Sequence, residues 1–551
     1  MQRPFVAAFI TALALVPSLV WVPSSAVAQE LMPSHVAAKL GLVESWTRTV
    51  TAPMGTQSIS DLLLHVHDAD PNEYVEVVAS QPGAKASPAT GKSAADETKE
   101  GGAESDVDNV RVMSRIWTNQ ADRLGEPIGL AEAERLAKNE VRRLKRYGIE
   151  ASIRTTQSPR VRLYSVSNDG TLEARDAETG AVIWMTRVGN RKLNFGGLGV
   201  DDQLLTVING TNLIVVDATN GEVVKELRLR RPPLFGAINS GDYVMVLGIG
   251  GDVDSYLLSD LERDIFYSSF QGRALAPPVK APGDSTKVVW ATDAHFIYGM
   301  ELQGKPSIQF RFATDGMVSG KLARASGDRF FFGTDNGQVY GIRANRTGEV
   351  LWSQPFGEPF YDEPVIFGDQ LFIRSAYGTL YCVSVATGEP IWDQPAKSVD
   401  ELIGAVGKGL FVRSTSGAMA VIDQKTGDRV ELFRSLRPGR LLKNTLTNRL
   451  YLVSENGVIQ CLRPEDAELP TLNIQPDSSE EEAADAGEGD AKPESEEAAQ
   501  PDTMDPFGAG ASDPFGAGAS DPFGAGDGGM SDPFGSGAGE SSDPFADPFG
   551  G

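Results

Sequence analysis

Short segments recur at an almost constant interval along residues 163–463, and this period constrains the fold more than any other feature. The clearest copies are Leu163–Trp184, Leu204–Val224, Phe330–Trp352, Leu371–Trp392, Leu410–Phe433 and Leu450–Cys461. Most read as an apolar strand, a turn with glycine, an alternating strand, a Thr-Gly turn and a strand ending in tryptophan. Two weaker copies lie around Gly251 and His295. The first-turn positions are 170, 210, 251, 295, 337, 378, 417 and 457, with gaps of 40, 41, 44, 42, 41, 39 and 40 residues.

In the first copy Leu172, Ala174 and Asp176 alternate with Thr171, Glu173 and Arg175, which is the period-two pattern of a strand. Glycine turns and β-branched strands exclude a helical solenoid. Each copy has room for three or four short strands. Such units at intervals of about 40–50 residues read as the blades of a β-propeller. The expected fold class is therefore all-β: an eight-bladed propeller over 161–465, with a small helical insertion, a linker and a C-terminal tail.

The last copy stops soon after Cys461, so its blade needs a strand from elsewhere. Leu42–Val50, with Trp46, has the character of a Trp-ended repeat strand and is expected to close that blade from within an N-terminal segment, 29–80. Residues 81–109 are rich in Gly, Ser, Ala and charge and lack aromatics, which reads as a disordered linker. Residues 110–160 are expected to form a helical insertion. Its helix spans 130–147, with Leu130, Ala133, Ala137, Val141 and Leu144 on one face and Gly148 as the stop. Asp61–Ala79 reads as a strand of the same insertion. The cluster Arg142, Arg143, Lys145 and Arg146 reads as a solvated face, with docking to an acidic partner or to the chain's own tail as the alternative.

The formal charge of −25 is uneven. Residues 466–551 hold 21 acidic groups and one lysine, so the body is nearly neutral. A nearly neutral body lacks the basic face that nucleic-acid binding requires. The acidic segment reads as a disordered tail. It carries six Asp-Pro-Phe triplets, starting at Asp505, Asp513, Asp521, Asp532, Asp543 and Asp547. These suit either simple solvation or weak multivalent contact with a partner that the sequence does not name.

Residues 1–28 read as a secretory signal: Arg3, an apolar run from Phe5 to Val22, and Ala26-Val27-Ala28 before Gln29. Cleavage is expected between Ala28 and Gln29. No cysteine follows to accept a lipid, and no later segment is apolar enough to span a bilayer. The chain is expected to be exported to the periplasm or cell envelope without a lipid anchor.

The fullest repeat motif is Ala174-x-Asp176-x-x-Thr179-Gly180-x-x-x-Trp184. Asp176 can accept bonds from the turn that follows, Gly180 supplies positive φ, and Trp184 can fill the wedge between blades. Partial copies are Gly348 with Trp352, Gly388 with Trp392, and Gly427 followed by Phe433. The pattern resembles the tryptophan-docking repeat of the PQQ-like (quinoprotein-type) β-propeller family, and the tail is similar to those of planctomycete envelope proteins. The family includes quinoprotein dehydrogenases, which bind pyrroloquinoline quinone and Ca²⁺, and BamB-type scaffolds of outer-membrane assembly, which have no cofactor. The dehydrogenases carry a disulfide between adjacent cysteines, whereas Cys382 and Cys461 are far apart here.

Candidate chemistry outside the repeats is sparse. His65 and His67 share a strand face, as a metal pair requires, with Asp68 and Asp70 following; the alternative is a polar strand edge. Asp252 and Asp254 are a second candidate cation pair, and His295 reads as a loop tip. No catalytic, cofactor or metal residues are assigned. The expected function is a non-catalytic, BamB-like scaffold for protein–protein interaction in the envelope, with envelope or outer-membrane assembly proteins as partners. The alternatives are a quinoprotein-type dehydrogenase or a metal- or ligand-binding propeller.

Overall fold

Turns that need a left-handed residue set the framework. At the eight first-turn positions the backbone takes φ between 61° and 86°, and seven of the residues are glycine. The eighth is His295, at φ 61°. A fixed left-handed turn every forty or so residues, between strands of five or six, forces antiparallel hairpins to repeat.

The computed structural model describes residues 31–51, 58–80, 110–120, 127–263 and 265–473. Among them the chain forms eight antiparallel sheets and two helices. After β1 (Leu42–Thr49), sheet one is built from β2 (Ile59–Ser80), β3 (Val110–Trp117), β4 (Ala151–Ser167), β5 (Thr171–Asp176) and β6 (Val182–Arg187), in the order β3-β2-β4-β5-β6. Sheets two to seven follow in sequence, with four strands each except sheet six, which has three. Sheet eight orders Arg440–Leu441, Leu450–Val453, Val458–Pro464 and, outermost, β1 (Leu42–Thr49). Trp46 stands opposite Cys461 in that last pairing.

The strands read as continuous apolar runs because both faces are buried. In sheet two, Leu205, Val207, Ile214 and Val216 pack against Tyr164, Leu172 and Trp184 of sheet one. The alternating residues Ile208, Leu213 and Val215 pack against Val244, Val246 and Tyr256 of sheet three. The same sharing links sheets three and four, four and five, five and six, six and seven, and seven and eight. The chain of cores then returns to its start: Trp46, Tyr451, Ile459 and Cys461 of sheet eight pack on Leu62, Leu64, Val161 and Leu163 of sheet one. The fold is a β-propeller, and nearly all-β.

Three sequence expectations need correction. Asp61–Ala79 is not simply part of an insertion. The first half of β2, Ile59–His67, pairs with Arg160–Ser167 as the inner strand of sheet one, and Leu62 and Leu64 lie in the core shared with sheet eight. Only the second half, after a register break between His67 and Asn72, leaves the ring. Second, the insertion is not purely helical. Asn72–Ser80, β3 and the start of β4 form a small sheet under the helix Gly129–Arg146. Val75 and Val77 meet Ala133, Ala137 and Leu144 there, while Leu130 points outward at 41% exposure. Third, ordered chain runs past 466. Leu472 bridges to Thr447, and the carbonyls of Ala467 and Glu468 accept bonds from buried Arg449. The signal sequence with Ala28 and Gln29, the linker 81–109 and the Asp-Pro-Phe triplets lie outside the described residues.

Candidate functional site

The repeat motif builds joints between sheets. Asp176 Oδ1 accepts bonds from the backbone N–H of Glu178 (3.1 Å) and Thr179 (2.7 Å) and from the Thr179 hydroxyl (2.7 Å). Asp217 and Asp423 hold their turns in the same way, and Asn345 does so in sheet five. Ala174 is fully buried opposite Trp184 in the strand pairing.

Gly180 is needed twice. Its φ is +68°, and a Cβ there would stand 2.6 Å from the Trp46 ring. The Trp46 indole N–H donates to the carbonyl of Ala177 at 2.9 Å. Trp184 lies over Gly221 and donates to Ala218, Trp352 lies over Gly388 and donates to Val385, and Trp392 lies over Gly427 and donates to Gln424, at 2.9–3.0 Å. Each of these four tryptophans therefore docks on the turn of the next sheet rather than on its own repeat. Gly348 receives Phe310 instead, a docking aromatic that a search for tryptophan passes over. These residues hold the ring together.

The outermost strands offer a different surface. In β6, Val182, Ile183 and Met185 are 48, 41 and 55% exposed. In the outermost strand of sheet two, Val223–Arg228, Val223 and Val224 are 50 and 59% exposed. Neighbouring sheets thus present apolar side chains on edge strands whose outer backbone groups lack a strand partner among the described residues. Such edges accept an added strand from another polypeptide.

A polar cluster sits at the end of the inner strands of sheets one and two. His65 and His67 project from β2, and Asp202 follows the strand Phe195–Val200. His65 Nε2 lies 2.9 Å, and His67 Nδ1 3.7 Å, from Asp202 Oδ1. One ligand atom from each of the three residues lies within 4.8 Å of the other two. The other ring nitrogen of His67, Nε2, is 3.1 Å from the Tyr164 hydroxyl. Burial, helped by His65 and Arg162, pushes the His67 imidazole down to about 3, so the ring is neutral at physiological pH. The side chain of Asp68 lies outside the described residues, and Asp70 pairs with Arg160.

The Asp252–Asp254 pair does not await a metal ion. Arg231 supplies the positive charge, with Nε 3.1 Å from Asp252 Oδ2 and Nη1 2.5 Å from Asp254 Oδ1. Both cysteines are buried free thiols. No helix among the described residues is long and apolar enough to cross a membrane.

The model of the family described as outer membrane protein assembly factor BamB matches residues 115–259, 155–305, 285–431 and 335–459 in overlapping registers, as expected of a repeat. The outer membrane protein assembly factor BamB of Shewanella oneidensis is 28% identical over 164 residues, covering 28% of this chain and 37% of that protein. The chain thus matches well under half the length of that relative. Among solved structures, BamB from Moraxella catarrhalis aligns at 17% identity with a TM-score of 0.43, covering 56% of this chain and 92% of that one. The C-terminal WD40 domain of Sif2 aligns at 11% identity and 0.41, covering 55% and 92%. Overlapping matches across more than half its length show that this chain belongs to the BamB family of repeat propellers.

Proposed function

We propose that this protein is a non-catalytic, exported scaffold that assembles other polypeptides in the cell envelope, with outer-membrane assembly components among its partners. The observation that carries this reading is the exposed apolar edge of sheets one and two, Val182, Ile183, Met185, Val223 and Val224. Membership of the BamB family supports it. A partner segment in extended conformation adds to such an edge through backbone bonds, and the apolar side chains supply contact area.

The test is crosslinking in intact envelope followed by affinity purification and mass spectrometry. The native chain is compared with an Ile183→Lys, Met185→Lys, Val224→Lys variant, whose changes are on the surface. Outer-membrane assembly proteins are expected with the native chain and depleted with the variant. An unrelated set, or an unchanged one in the variant, removes the proposal. The non-catalytic part is tested by quinone titration: stoichiometric uptake with dye-linked alcohol oxidation would overturn it.

A further inference from the structure

We propose that His65, His67 and Asp202 form a binding site for a zinc-class divalent cation that clasps the inner strands of sheets one and two. This goes beyond the scaffold reading and does not depend on it.

The ligand types are those such an ion takes: two imidazoles and one carboxylate, leaving a fourth position open. His65 and His67 are two residues apart on one strand, so both rings leave the same face. The third ligand comes from another sheet, 137 residues away from His65. Bonds of about 2.1 Å in a tetrahedron place ligand atoms about 3.4 Å apart. The observed separations to Asp202 Oδ1, 2.9 and 3.7 Å, bracket that edge, and the three ligand atoms lie within 4.8 Å of one another, so the two rings have to turn toward each other to close on an ion.

The surroundings orient the set. The Tyr164 hydroxyl engages His67 Nε2 and leaves Nδ1 facing Asp202, the kind of outer contact that fixes a metal-binding imidazole. The two rings meet edge to face at 4.8 Å between centroids. Of the neighbouring arginines, Arg160 pairs with Asp70 and bonds Asn72, and Arg162 donates from Nη1 to the Ala218 carbonyl. The side chains of His65 and Asp202 are 23 and 30% exposed, so an ion can reach them from solvent.

Cobalt(II) serves as a spectroscopic probe on the purified, untagged full chain. One equivalent is expected to bind with intense tetrahedral absorption bands, to be displaced by Zn²⁺, and to raise the melting temperature. His65→Gln and Asp202→Asn, both at the accessible side of the cluster, are expected to weaken binding at least tenfold while circular dichroism stays native. His35→Gln is expected to change nothing. Absence of cobalt uptake by the native chain overturns the proposal. So does uptake that is undiminished in folded His65→Gln and Asp202→Asn chains.

Discussion

Arg449 and Glu178, 271 residues apart in sequence, form an ion pair across the seam between sheets eight and one, with Nη2 2.9 Å and Nε 3.0 Å from Glu178 Oε2. The arginine side chain is fully buried, and it also donates to the carbonyls of Ala467 and Glu468. One side chain thus ties the first repeat, the last repeat and the segment leaving the ring. Breaking a buried pair leaves an uncompensated charge, which costs about 3–5 kcal/mol, whereas removing both partners costs less. Glu178→Gln and Arg449→Met are each expected to destabilise the folded chain by about 3 kcal/mol in urea unfolding. The double variant is expected to lose clearly less than the sum of the two. Strict additivity would mean that the two residues act separately.

Trp46 closes the same seam from the N-terminal side. Trp46→Ala removes a buried ring from the core shared by sheets eight and one, a loss of about 4 kcal/mol. Trp46→Phe keeps most of the packing and loses the indole bond to Ala177, whose carbonyl still accepts from Tyr451 at 3.3 Å, so its cost is about 1 kcal/mol. Deleting residues 29–52 removes the outer strand of sheet eight and is expected to abolish cooperative unfolding. A melting transition as sharp as that of the native chain would show that the strand is dispensable.

Local rules made the propeller readable. A turn that must take positive φ shows in sequence mostly as glycine, so the period is visible even where strands vary; among the eight first-turn positions His295 is the lone break in that code. The inner strand of sheet one is not legible because Ile59–His67 pairs with Arg160–Ser167, across the whole length of the insertion. Contacts that depend on which distant strands become neighbours were not legible. The meeting of His65 and His67 with Asp202, and of Arg231 with the Asp252–Asp254 pair, leaves no periodic trace. Phe310 over Gly348 was missed for a different reason: packing needs a flat ring there, and tryptophan is only its commonest form.

Acid should loosen the insertion. Burial alone would raise the carboxyl of Glu76, but hydrogen bonds from Arg154 and Arg115 outweigh it and hold the group below its ordinary value of 4.5. A carboxylate depressed in the folded state contributes stability that is fully present above its unfolded value. That contribution is lost as pH falls through the folded one. Stability of the native chain is therefore expected to drop below about pH 4.5, and Glu76→Gln is expected to be less stable at neutral pH and less sensitive to acid. Parallel acid profiles for the two proteins would remove Glu76 from the account.

The two thiols report on the integrity of the ring. Cys382 lies in the core between sheets six and seven, and Cys461 in the core between eight and one. Burial pushes the Cys382 thiol up to about 12, and the Cys461 thiol is raised further by the same cause. Only a thiolate attacks a disulfide reagent, so at neutral pH both are blocked by protonation as well as by access. The native chain is expected to show no fast-reacting thiol with an aromatic disulfide reagent, and two after denaturation. Substitution of Trp46 should release Cys461 first, because that core borders the seam, while Cys382 stays protected. Equal release of both would mean that the ring opens as one unit rather than at the joint between its first and last sheets.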